Sequence, residues 1–87
     1  MTDKTLLEFP ADFPIKVMGR HDSDLRTLTQ AIIERHAGPI VASSVRTRTS
    51  GDGNFLALTY HVHATSRSQL DAIYRELTVC KSVLMAL

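Results

Sequence analysis

Apolar and polar positions alternate most regularly from Phe55 to Ala64. Leu56, Leu58, Tyr60, Val62 and Ala64 form an apolar row, and Phe55, Ala57, Thr59, His61 and His63 form a mixed one. A period of two is the signature of a strand with one buried face. The stretch before it, Ser50-Gly51-Asp52-Gly53-Asn54, is rich in residues that accept positive φ, so a preceding strand can fold back on this one as a hairpin. That partner is expected over Ile40–Ser50, where valine, threonine and serine dominate. Val41 and Val45 make its apolar row, and Ala42, Ser44, Arg46 and Arg48 the other, so both guanidinium groups leave one face. A slip of one residue would turn Arg46 and Arg48 toward the core.

Earlier in the chain, two prolines, Pro10 and Pro14, disfavour regular structure, so residues 1–12 read as an extended lead-in pinned by Leu7, Phe9 and Phe13. Ile15 and Val17 then point inward and Lys16, Met18 and Arg20 outward, which makes a first strand up to Gly19. Asp22 or Ser23 can cap a helix whose stripe is Leu25, Leu28, Ile32 and Ile33 and which stops at Gly38-Pro39. Ser66 with Gln69 matches a capping box. The helix it opens carries Leu70, Ile73, Tyr74 and Leu77 inward, with Arg67, Asp71, Arg75 and Glu76 solvated. The apolar ending Val83–Leu87 suits a last strand.

The order is strand, helix, strand, strand, helix, strand. It predicts an α+β fold, the ferredoxin-like βαββαβ sandwich, with a four-stranded antiparallel sheet, two helices on one face and the other face open.

With 87 residues, a chain this size buries roughly 60–65% of its unfolded surface and forms one domain, residues 1–87. A formal charge of +1 favours neither a polyanion nor a polycation as general partner, so electrostatic function has to come from local clustering. One cysteine, Cys80, excludes an internal disulfide and fits a reducing compartment. Neither a signal peptide nor a membrane-spanning apolar run is visible, which gives the expectation of a cytoplasmic protein without a membrane partner.

Leu6-Leu7-Glu8-Phe9-Pro10, Phe13-Pro14-Ile15-Lys16-Val17-Met18-Gly19, Glu34-Arg35-His36-Ala37 and the ending Val83-Leu84-Met85-Ala86-Leu87 together resemble the YbeD-like family of small bacterial proteins. The resemblance covers nearly the whole chain. It implies a ferredoxin-like fold akin to ACT regulatory domains, and genes of this family often lie beside lipoate-attachment genes. It carries over no catalytic residue and no cofactor.

The candidate site is the open face, where Lys16, Met18, Arg20, Arg46, Arg48, Phe55, His61 and His63 are expected. Its cations suit single-stranded RNA or DNA, but Ala57 stands where a second stacking aromatic is wanted, and stacking supplies much of such affinity. A small-molecule sensor of the ACT type would use the loop Gly19–Asp24, whose aspartates oppose an anionic ligand at the helix start. His61 and His63 share a face but lack a third metal ligand. Acylphosphatase-type catalysis would need a backbone phosphate cradle where Arg20–Asp24 supplies acids instead. The reading that remains is a non-catalytic regulatory or adaptor module, working through a protein partner or self-association.

Overall fold

A computed structural model describes residues 8–21 and 24–87. Four antiparallel strands, β1 (Ala11–Arg20), β2 (Arg46–Thr49), β3 (Phe55–Ala64) and β4 (Val83–Ala86), form one sheet in the order β2-β3-β1-β4. Helices α1 (Leu25–Ala37) and α2 (Arg67–Val79) connect β1 to β2 and β3 to β4. Both cover one face of the sheet, the ferredoxin-like arrangement expected from the element order.

The core lies between helices and sheet. Ile15 and Val17 of β1 and Leu58, Tyr60, Val62 and Ala64 of β3 meet Leu25, Ile32 and Ile33 of α1 and Leu70, Ile73 and Leu77 of α2. The inward row of β3 is therefore the one the alternation marks. In α1 the stripe differs from expectation: Leu28 is 41% exposed, and Thr29, one position on, is fully buried. Thr29 is accommodated because its hydroxyl donates to the Leu25 carbonyl at 2.7 Å and meets the Tyr60 hydroxyl at 2.8 Å. A buried polar group so satisfied avoids most of its desolvation cost.

Strand β1 starts at Ala11, four positions before the expected Ile15, and so absorbs the end of the lead-in. Pro14 is tolerated inside it for a reason of register. Lys16 N–H donates to the Leu87 carbonyl at 3.1 Å and Leu87 N–H returns the bond at 2.8 Å, so even-numbered residues of β1 turn their main-chain groups toward β4. Pro14 has the same parity but lies beyond the end of β4, where its missing N–H costs no ladder bond. Leu7, expected to help pin the lead-in, lies outside the described residues, while Phe9 and Phe13 do pack against the core.

Strand β2 is shorter than Ile40–Ser50. A 3-10 turn at Ala42–Ser44 precedes it, Val41 is exposed, and Ile40 with Val45 packs against the core instead. The turn closes on Val41, whose carbonyl accepts both the main-chain N–H and the hydroxyl of Ser44. Local Ser hydrogen bonding of this kind competes with a strand ladder.

The helix ends follow their capping chemistry. α1 stops where Gly38 takes φ 85° and donates to Glu34. Its first flanking residue is Asp24, with no side-chain cap bond; the expected caps Asp22 and Ser23 lie outside the described residues. Ser66 caps α2 by accepting from Gln69 N–H at 3.1 Å, whereas the Gln69 amide oxygen accepts from Thr65 N–H at 2.7 Å, one residue before the capping-box position. Gln69 also donates to the His36 carbonyl at 2.9 Å and so ties the start of α2 to the end of α1.

Glu76, expected among solvated charges, bridges the helices by bonding Arg35 and His36 of α1. The His36 hydrogen bond, then that of Arg35, holds its carboxyl below the usual carboxylate range. A depressed carboxyl contributes stability above its unfolded value, and that contribution is lost as pH falls through the lowered folded value. Glu76→Gln is therefore expected to flatten the loss of urea resistance on acidification, the two proteins converging once the Glu76 carboxyl is protonated in the folded state. Equal acid slopes for the two proteins would show that the bridge carries no stability.

Candidate functional site

The face opposite the helices is set by register. In β2 and β3, Arg46 opposes Thr59 and Arg48 opposes Ala57; across β3 and β1, Thr59 opposes Lys16, Ala57 opposes Met18 and Phe55 opposes Arg20. These pairs alternate with Thr47 against Leu58, on the helix side, so Arg46 and Arg48 leave the open face. Met18 is continued by Met85 of β4. Two rows thus cross the sheet, Arg46-Thr59-Lys16 and Arg48-Ala57-Met18-Met85, with neighbouring strands ~4.8 Å apart.

The last strand contributes more apolar surface than simple alternation gives. Its register shifts between Met18 and Gly19, which pair with Met85 and Val83 and leave Leu84 as an extra residue. Val83 packs against the core, and Leu84 and Met85 are both exposed, at 57% and 50%.

Two adjoining grooves share Arg48 and Ala57. One, of about 200 Å³, is lined by Met18, Thr49, Ser50, Phe55 and Leu56 together with the shared pair. The other, of about 280 Å³, is lined by Lys16, Arg46, Thr47 and Thr59 with the same pair. The first is mostly apolar and the second cationic. Among the described residues no carboxylate forms an ion pair with Lys16, Arg46 or Arg48.

The remaining candidates sit around these grooves. The Arg20 guanidinium lies 5.9 Å from the centre of the Phe55 ring, within cation–π range. His61 opposes Pro14 one row beyond Thr59, and His63, at the far end, is 3.6 Å from Asp12. Both histidines line a separate hollow of about 180 Å³ under Gly38, Pro39, Ile40 and Val41. The structure therefore gathers Lys16, Met18, Arg46, Arg48 and Phe55, stacks Arg20 on Phe55, and leaves His61 and His63 apart. Among the described residues no cluster of three or more His, Cys, Asp or Glu side chains could hold a metal ion. Of the loop considered for a small ligand, residues 22 and 23 lie outside the described residues; Arg20 and His21 line a hollow of about 140 Å³ with Gly53 and Asn54.

The hairpin turn that positions Phe55 is internally bonded. Asp52 Oδ1 accepts from the Ser50 hydroxyl at 2.7 Å and from Asn54 N–H at 3.1 Å, and Gly53 takes φ 79°. The Ser50 hydroxyl, followed by the Asn54 N–H, holds the Asp52 carboxyl below its ordinary value. Sequence reasoning did not anticipate Thr47, Thr49 and Thr59 as lining residues. Alternation does place Thr59 on the outward row, whereas Thr47 and Thr49, on the alternate row of β2, line the grooves from the sheet edge.

Residues 4–87 match a family described as a protein of unknown function, DUF493. A UPF0250 protein of Bordetella pertussis is 47% identical over 76 residues, 86% of this chain and 82% of that protein. A UPF0250 protein of Paraburkholderia phytofirmans is 45% identical over 76 residues, 87% of this chain and 85% of its own. One of Nitrosomonas europaea is 38% identical over 77 residues, 88% of each chain. These matches bear out the family resemblance read from the sequence.

Proposed function

Because this chain belongs to the DUF493 family of proteins of unknown function, its role has to be read from its own surface, and we propose a non-catalytic regulatory or adaptor module that binds a protein on its open sheet face. The observation that carries this reading is the adjacency of an apolar groove at Met18, Phe55 and Ala57 to a cationic one at Lys16, Arg46 and Arg48. An apolar centre beside a charged margin is the layout of protein interfaces. Nucleic acid is the second reading, favoured by the three cations without ion-pair partners among the described residues. It has one exposed aromatic to stack on, Phe55, and the Arg20 guanidinium lies against that ring.

A photo-crosslinking phenylalanine analogue in place of Phe55, compared with the same analogue in place of the outward Arg75 on α2, tests the protein reading in living cells. Discrete protein adducts from the sheet position and not from the helix position are expected, an adduct of twice the chain mass marking self-association. Indistinguishable patterns from the two positions would overturn the reading. Titration with mixed-sequence single-stranded RNA decides the alternative: saturable amide shifts at Lys16, Arg46, Arg48 and Phe55 that weaken with salt would replace protein binding by nucleic-acid binding.

A further inference from the structure

Building on that reading, we propose that the partner presents an extended acidic segment. One large apolar side chain enters the groove at Met18, Phe55 and Ala57, and a carboxylate two residues along meets Arg46, Arg48 and Lys16. The inference rests on protein binding at this face and adds the chemistry and spacing of what is bound.

Charge comes first. Lys16, Arg46 and Arg48 line a single groove, and no described carboxylate pairs with them. The sheet holds them there at a standing cost of mutual repulsion, because Arg46 and Arg48 are fixed ~7 Å apart by the strand repeat and Lys16 lies two strands over from Arg46. A carboxylate relieves that repulsion. The planar fork of arginine also suits it, donating two parallel hydrogen bonds to one carboxylate.

The neighbouring groove then decides between carriers of negative charge. Along the next row the surface runs from Arg48 through Ala57 to Met18 and Met85, apolar beyond its first member. A nucleic-acid backbone repeats its charge at every nucleotide and would lay phosphate over this apolar row. A peptide can instead change from charged to apolar within two residues. The two grooves share Ala57 and extend along β3 toward Leu56 and Phe55 on one side and Thr59 on the other. Their centres are thus separated by about one strand period, ~7 Å, the distance between side chains on the same face of an extended segment. The recognition pattern is accordingly a large apolar residue, any residue, then Asp or Glu, readable in either chain direction.

Selection from a random heptapeptide display library on the full chain tests this directly. The expected result is enrichment of peptides with Asp or Glu two positions from Leu, Ile, Met or Phe. Paired charge reversal, Arg46→Glu with Arg48→Glu, should weaken a selected peptide roughly 10-fold or more and turn the selection toward Lys and Arg. Both arginines are exposed, and amide spectra of the double variant verify that it folds. The inference is overturned by no enrichment, by enrichment without acidic residues, or by a motif that the double variant still selects. Tighter binding by a mixed-sequence RNA 12-mer at the same amides overturns it as well. If crosslinking from position 55 yields protein adducts while the peptide selection fails, the adaptor reading stands and only the acidic segment falls.

Discussion

Gly19→Ala destabilises the protein by about 3 kcal/mol, toward the upper end for an added methyl group in a packed site. A Cβ at Gly19 would stand 2.3 Å from the Ser82 carbonyl oxygen and 2.8 Å from Leu25 Cδ1. The nearer atom is main chain, at the point where β4 begins and its register against β1 has just shifted, so it cannot rotate away as a side chain would. Relief requires β4 to move off β1 and the first turn of α1 to lift with it. In urea, where a small domain loses about 1–3 kcal/mol per molar, the midpoint should fall by ~1–3 M. Gly51→Ala is the matched control: nothing lies within 4 Å of a Cβ there, and its midpoint should barely change. Equal midpoints for the two variants would show that the approach of Ser82 to Gly19 is not maintained in solution.

Tyr60→Ala should cost about 3–5 kcal/mol, against about 1 kcal/mol for Tyr60→Phe. Tyr60 is the largest fully buried side chain of the described core. Its hydroxyl meets Thr29 Oγ1 at 2.8 Å and donates to the Arg26 carbonyl at 3.3 Å. Since Thr29 already donates to Leu25, removing only the hydroxyl leaves no stranded donor, and the phenylalanine variant keeps the packing. Truncation to alanine opens a cavity between the helices and the sheet. A chain of 87 residues at about 0.05–0.15 kcal/mol per residue has ~4–13 kcal/mol in total, so the alanine variant approaches the threshold of folding. Burial also raises the Tyr60 phenol above its usual value. A raised phenol contributes stability that is present below about pH 10 and lost as pH rises through the folded value. Urea midpoints that drop equally for the two variants would place the energy in the hydroxyl rather than in the ring.

Tyr60 lies on the helix side, so its variants can be measured without disturbing the face, whereas a shift of β4 in Gly19→Ala would also move Met85 beside Met18. Phe55, Arg46 and Arg48 sit on the opposite side of the sheet from Tyr60 and Gly19. For the Tyr60 variants this separation allows stability and binding to be read independently.

What the sequence alone determined is whatever depends on a few neighbouring residues. The alternation from Leu56 to Ala64 fixes the buried row of β3, Gly38-Pro39 stops α1, and Ser66 with Gln69 starts α2, because periodicity and capping act within one or two turns. The same alternation put Lys16, Met18, Arg46, Arg48 and Phe55 on one face. Tertiary structure decided what depends on partners far along the chain. Leu28 yields its core place to Thr29 because Tyr60, 31 residues away, offers the buried hydroxyl a bond. Glu76 leaves the solvated set because Arg35 and His36 lie across the helix interface. β2 shrinks to four residues because Ser44 bonds locally to Val41. Gly19 reads in sequence only as the end of a strand, and its necessity comes from the carbonyl of Ser82, which arrives there through a whole helix and a register shift. Contacts of that kind have no local periodicity, since each is set by how two distant elements pack.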